Sequence, residues 1–194
     1  MEDFAAGPGS GPVVVILEPD AIARSDWLSA AQRTDRFASL ARAGRTLHAA
    51  KPRARVYLDG GHSGRHVAEK QAVALREAGA ATSGDGIFTN VSDVHSTADE
   101  TAYARRVIAA LGGRPGLGAV IDTSRNGNGA PKAGEWRDPA GRALGGTPTT
   151  VSGLARIDAY HRRLPVGEAA GGVGRPQGPA GSFAPDHAYE PATG

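Results

Sequence analysis

The sequence predicts an α/β fold whose strands run parallel and carry their chemistry at their carboxyl ends. The first observation is a set of three apolar runs, VVVILEPD (13–20), VYLDGGH (56–62) and AVIDTSRNGNG (119–129), each ending on a carboxylate and a polar turn. A run such as 12–17 has no polar alternation, the pattern of a strand buried on both faces in a helix-covered parallel sheet. Carboxylates at the carboxyl ends of such strands lie where α/β folds keep their active sites. The second observation is the alternation of strand and helix signals with a repeat of roughly 30–40 residues, which fits βα units with right-handed crossovers rather than a solenoid.

After the first run, residues 21–50 place Trp27, Leu28, Ala31, Phe37, Leu40, Ala41, Leu47 and Ala50 mostly at three- and four-residue steps. This spacing predicts one helix, or two broken near Gly44; Trp27 reads as core or helix packing. Lys51-Pro52 ends it, because proline has no N–H to donate and restricts the residue before it. A strand follows at 55–59, a helix at 67–78 closed by Gly79, and a strand at 86–91. The next helix, 97–111, ends at Gly112-Gly113, and 119–122 forms the fourth strand. From Thr123 onward regular signals thin out. Four βα units make half a barrel.

At 194 residues the chain predicts one domain, 1–194, large enough for a real core. Its 28 Gly and 13 Pro concentrate in loops and in the last third, so 165–194 reads as a Gly/Pro-rich segment of that domain. A net charge of +2 without a Lys/Arg block predicts neither a nucleic-acid nor a membrane partner. No run of eighteen apolar residues exists, and MEDFAAGPGSG lacks the regions of a secretion signal, so export is expected only if the true start lies upstream. Zero Cys excludes disulfides, thiolate metal sites and a Cys nucleophile. The glycines at 7–11 and 167–174 complete neither phosphate-loop pattern, so no nucleotide or other cofactor is expected.

The motifs VVVILEPDAIA, VYLDGGHSG, NVSD, VIDTSRNGNG, EWRDPAGRALG, IDAY and GSFAPDHAYE, in this order, resemble glycoside hydrolase family 6 over nearly the whole chain. That family comprises endoglucanases and cellobiohydrolases that cut β-1,4-glucan with inversion. The resemblance implies a partial, distorted (β/α) barrel lacking the family's first strands, with a cleft across its C-terminal face. The partner it implies is a β-glucan polysaccharide or cello-oligosaccharide, and the family is secreted.

An inverting glycosidase needs a protonated carboxyl for the leaving oxygen and a carboxylate roughly 6.5–9.5 Å away to activate water. Asp20 matches the family's general acid, and its seat at the end of an apolar strand predicts desolvation favouring the neutral form. The plainer use of Asp20 is a helix N-cap. Asp59 and His62 match cleft-lining residues, against the alternative of a Gly-rich turn with an exposed His. His62 and His66 stand four apart and could share a helical face. No third ligand accompanies them in sequence, so no metal is expected. Asp122 and Arg125 match a segment that shapes the cleft floor, although Asn126-Gly127 and Asn128-Gly129 are ordinary turn dipeptides. Trp136 matches a tryptophan that stacks on a glucose ring. Asn90-Val91-Ser92 is formally a glycosylation acceptor.

Departures from the family pattern shape the expected activity. The second aspartate that helps keep the donor protonated is absent. The proposed base position is Ala170, the substrate-binding Lys position is Leu164, and the Trp that follows HSG is Arg65. The family's cysteines fall at Trp27, Arg137 and Val173. Glu168 survives as a possible substitute water activator. The expectation is β-1,4-glucan hydrolysis that is weak or lost, with a non-catalytic glucan-binding remnant as the alternative.

Overall fold

The computed structural model describes residues 11–162 apart from 92, 113, 131, 133, 134 and 136–140. Five strands form one parallel sheet: β1 (Val14–Leu17), β2 (Arg55–Asp59), β3 (Gly86–Thr89), β4 (Gly118–Asp122) and β5 (Ile157–His161). Their spatial order equals their chain order, β1-β2-β3-β4-β5. A doubly wound sheet reverses order at a switch point, whereas a barrel advances in one direction, so this is a partial (β/α) barrel. The β4–β5 register breaks between Ala119 and Val120, the local distortion in the sheet.

The helices are α1 (Ala30–Ala50), α2 (Ala68–Glu77), the single turn α3 (Ala80–Ser83) and α4 (Thr97–Leu111). The two longest helices have a local cause for their starts. Ser29 and Gln32 form a reciprocal capping box at α1, and Ser96 Oγ accepts the Asp99 N–H at α4. Gly112, in the left-handed conformation, ends α4. Helix α1 runs unbroken through Gly44, whose missing side chain lets the helix lie on the Ser83 carbonyl: a Cβ there would stand 2.2 Å from that oxygen.

Alternate strand residues face opposite ways, and the two faces have different cores. Leu17, Val56, Leu58, Ile87, Ala119 and Ile121 pack on helix residues such as Phe37, Leu75, Tyr103 and Val107. Tyr57, Phe88 and Val120 make a smaller cluster on the inner face, where the Tyr57 hydroxyl donates to Asp158 Oδ2 at 2.8 Å. At the amino ends of the strands Asp85 collects His48, Arg55 and Arg114.

Several expectations need correction. β1 is not buried on both faces: Val14 is 58% exposed, because among the described residues β1 pairs only with β2. Trp27 is not in helix packing. It lies in a separate 3-10 turn, Ser25–Trp27, with its ring 72% exposed and the Arg24 and Arg65 guanidiniums over it. β5 emerges where regular signals had thinned, and β3 stops at Thr89. Asn90 is fully buried with its amide nitrogen bonded to two carbonyls, which leaves nothing for a glycan.

Candidate active site

The carboxyl ends of β1 and β2 carry the two acidic residues singled out in sequence. Beyond Leu17 the chain turns out of the sheet through Glu18 and Asp20, both with positive φ (47° and 69°). Such a conformation costs a non-glycine residue on the order of 1–3 kcal/mol and persists only when its surroundings hold it. Here the holder is Asp59: its Oδ2 accepts the Asp20 main-chain N–H, and its Oδ1 accepts the Gly61 N–H at 2.9 Å. Asp59 is 2% exposed. Burial pushes its carboxyl up to about 6, overcoming the two N–H donors that favour the charged form, and the charges of Asp20 and Asp93 add to the rise.

The desolvation expected at Asp20 therefore falls on Asp59 instead. The Asp20 side chain is 61% exposed, and Arg24 Nε stands 3.5 Å from its Oδ2. The outward turn after Leu17 is the reason. Nor is Asp20 a helix N-cap, since Ser29 has that role for α1.

After β2 the Gly60-Gly61 turn leads to His62, which shares no helical face with His66 because both precede α2. His66 points to Asp26 (3.4 Å), while His62 stacks on His95 with ring centroids 4.5 Å apart and planes 15° from parallel. His62 Nε2 lies 3.4 Å from Asp93 Oδ2, and its Nδ1 accepts the Gly64 N–H at 3.3 Å. Burial pulls the His62 imidazole below its ordinary value, while Asp93 works the other way. Under this loop Glu100, fully buried on α4, accepts the Ser63 N–H at 2.8 Å. Its burial pushes the carboxyl up.

The ends of β3 and β4 are tied by amides. Asn90 Oδ1 accepts the His95 N–H, and its Nδ2 donates to the carbonyls of His95 and Asp122, all at 3.0 Å. Asn126 Nδ2 donates to the same His95 carbonyl at 2.9 Å. Asp122 is buried, with Oδ1 accepting from the Ser124 N–H and hydroxyl. Arg125 is buried beside it in the chain. Both side chains are buried rather than presented to solvent. Trp136 and Glu168, like Leu164 and Ala170, lie outside the described residues.

Asp20, Asp59 and His62 thus converge on one rim, with Asp122 and Arg125 below the β4 end. Asp93, His95, Asn90 and Glu100 were not singled out as site residues. Only the NVSD motif pointed at that stretch, because their partners lie far away in the chain. A concavity of about 350 Å³ opens behind the loop, lined by Ser63, Arg65, His66, Glu69, Tyr103 and Arg106. Asp20 lies outside it, on open surface. Among the described residues no helix is long and apolar enough to cross a membrane.

The sequence profile of the glycosyl hydrolases family 6 matches residues 3–190. Endoglucanase 1 of Streptomyces sp. (strain KSM-9) is 53% identical over 191 residues, covering 98% of this chain and 51% of that protein. Endoglucanase A of Thermobispora bispora is 44% identical, over 98% of this chain and 41% of that protein. The chain therefore spans about half the length of these relatives or less. Among solved structures, the endoglucanase Cel6 from Mycobacterium tuberculosis in complex with methyl-cellobiosyl-4-deoxy-4-thio-β-D-cellobioside superposes with a TM-score of 0.87 at 41% identity, covering 97% of this chain and 64% of that one.

Proposed function

Since the chain belongs to glycosyl hydrolase family 6, we propose that it acts on the β-1,4-glucosidic bonds of cellulose or related β-glucans, by inversion, with Asp20 as the general acid. The observation that carries this reading is the joint at the ends of β1 and β2, where an exposed carboxyl is held by its own main chain on a buried one. That joint fixes the position of Asp20 while leaving its side chain free to meet a sugar. A bound glucan lying over Asp20 would displace solvent and Arg24, supplying the desolvation that the free chain lacks. Asp20 then gives its proton to the glycosidic oxygen as the C1–O bond breaks. Water adds to C1 from the opposite face and loses its proton to a base or a solvent chain. His62 and Trp136 contact the sugar in this reading, Asp122 and Arg125 support the floor, and Glu168 is the substitute water activator.

Ala170 at the family's base position favours weak turnover, since losing one acid or base costs about 10²–10⁴ in rate. It also sustains a second reading, a glucan-binding protein without catalysis. A polymer too large to enter a cell places either activity outside it.

The test is reducing-sugar release from carboxymethyl-cellulose and barley β-glucan by the purified chain beside Asp20→Asn. Release that disappears in the variant supports Asp20 as acid. Release unchanged in the variant removes that role. A folded chain that releases nothing but binds cello-oligosaccharide, with binding lost in Trp136→Ala, establishes the second reading.

A further inference from the structure

We propose that His62, Asp93 and His95 form a site for a divalent transition metal, of the class that imidazole and carboxylate bind together, with Zn²⁺ as the probe. One ligand atom from each residue lies within 4.8 Å of the other two. Any three points so spaced fit within a circle of radius about 2.8 Å, so an ion at its centre is at most about 0.8 Å beyond the usual 2.0–2.2 Å contact with N or O ligands. Side-chain rotation closes a gap of that size, and it must also swing the two rings, stacked 15° from parallel, out of their stack so that both nitrogen lone pairs meet at the ion.

The atoms face one another without satisfying one another. Asp93 reaches both rings, Oδ2 3.4 Å from His62 Nε2 and Oδ1 3.7 Å from His95 Nε2. Both exceed the range of a good N–H···O hydrogen bond. A cation at the centre gives all three groups a partner at once. Two imidazoles and one carboxylate select zinc, cobalt, nickel or copper over magnesium and calcium, which prefer all-oxygen sets. Three protein ligands leave a fourth position for water.

The frame that carries the ligands is built in advance. The His95 main chain is fixed at both its N–H and its carbonyl by the buried amides of Asn90 and Asn126. The segment after His62 is held by buried Glu100 through the Ser63 N–H. Gly64 makes room for the approach, because a Cβ there would stand 2.6 Å from His95 Cε1. Ligands set on a braced frame lose less entropy on binding an ion. One bond must give way. The Gly64 N–H points at His62 Nδ1, which places the imidazole proton on Nε2. An ion at Nε2 moves that proton to Nδ1 through solvent, and the exposed Gly64 amide turns to water.

The site shares His62 with the proposed sugar contact, and its test reads metal binding without any glucan present. The whole chain is titrated with Zn²⁺ in a non-chelating buffer at neutral pH by calorimetry and thermal shift, and Co²⁺ absorption reports the coordination. One equivalent is expected, with a rise in Tm that EDTA reverses. His95→Ala and Asp93→Asn weaken it more than about 10-fold, the low end of what even outer-sphere partners cost, while His66→Gln binds as the unaltered chain does. If His95→Ala does not fold, His95→Gln replaces it with the same expectation. Absence of binding, or binding that survives in both the His95 and Asp93 variants, overturns the proposal.

Discussion

Asp59 offers the sharpest test of the joint between β1 and β2. Its carboxyl titrates near 3.8 in a solvated chain and is pushed up to about 6 in the fold, with burial the largest cause. The folded chain therefore binds more protons than the unfolded one between those values, and stability contributed by protonated Asp59 is full below about 3.8 and lost as pH rises to about 6. The free energy at stake is about 3 kcal/mol, from 1.36 kcal/mol for each tenfold change in proton affinity. Asp59→Asn removes the titration. It carries its own constant penalty, because the amide nitrogen cannot accept and one of the Asp20 and Gly61 N–H groups loses its partner, about 1–3 kcal/mol. Urea unfolding of both proteins from pH 4 to pH 7, taken as a difference, cancels every other titrating group to first order. The variant should be the weaker protein at pH 4, and the gap should move by about 2.4 kcal/mol in its favour by pH 7, since part of the full range lies below pH 4. A flat difference, or one that moves the other way, would mean that the two N–H donors outweigh burial and that Asp59 is an ordinary carboxylate.

Three other substitutions probe the frame. Glu100→Ala should cost about 1–3 kcal/mol in urea unfolding and speed amide exchange at Ser63, since a half-buried N–H loses its acceptor, whereas Glu100→Gln, which retains an acceptor oxygen, should cost less. Gly44→Ala should destabilise by about 1–3 kcal/mol despite the roughly 1 kcal/mol gain in helix propensity, because the new methyl collides with the Ser83 carbonyl; a raised Tm would refute the close approach. Asn90→Ala should lose about 3 kcal/mol or more, from three severed side-chain bonds and a φ of 65° that alanine resists. Asn90→Gly should recover about 1 kcal/mol of that loss in the same assay, through the φ part alone.

What could be read along the chain and what could not divide by the range of the interaction. Helix α4 was found to the residue because its limits are local: Ser96 caps one end and Gly112 ends the other. Strands β2 and β4 were legible because every neighbour buries them, so their apolar runs are continuous. β1 has the same composition and a different fate, since exposure is set by what lies beside a strand and not by the strand itself. β5 was hidden because in IDAYH only Ile157 is buried. The aspartates at the strand ends were visible as residues, but which of them was buried depended on the positive φ at Glu18 and Asp20. Trp27 was assigned to packing from its type, and a turn of three residues carried it outward. The stacking of His62 on His95 and the Glu100–Ser63 bond join residues more than thirty positions apart, and no local pattern announces them.

The two ends of the sheet are secured by different chemistry, and the difference locates the site. At the amino end Asp85 is held by His48, Arg55 and Arg114, an ion cluster in which charge is used up in stabilising the fold. At the carboxyl end the strand tips are tied mainly by uncharged groups. The Asn90 N–H meets the Gly61 carbonyl, its side chain meets the Asp122 carbonyl, and the Thr123 N–H meets the His161 carbonyl. Neutral ties there leave Asp20 and His62 with their ionisable groups available at the rim. Buried carboxyls also serve as ties there, Asp59, Glu100 and Asp122 among them, and burial pushes the Asp59 carboxyl up to about 6. An amide at that position would avoid the ionisation cost but would leave one of the two N–H groups that Asp59 holds without its acceptor. The carboxyl serves both donors and carries a raised proton affinity beside the exposed Asp20, and perturbed groups of this kind cluster at functional sites.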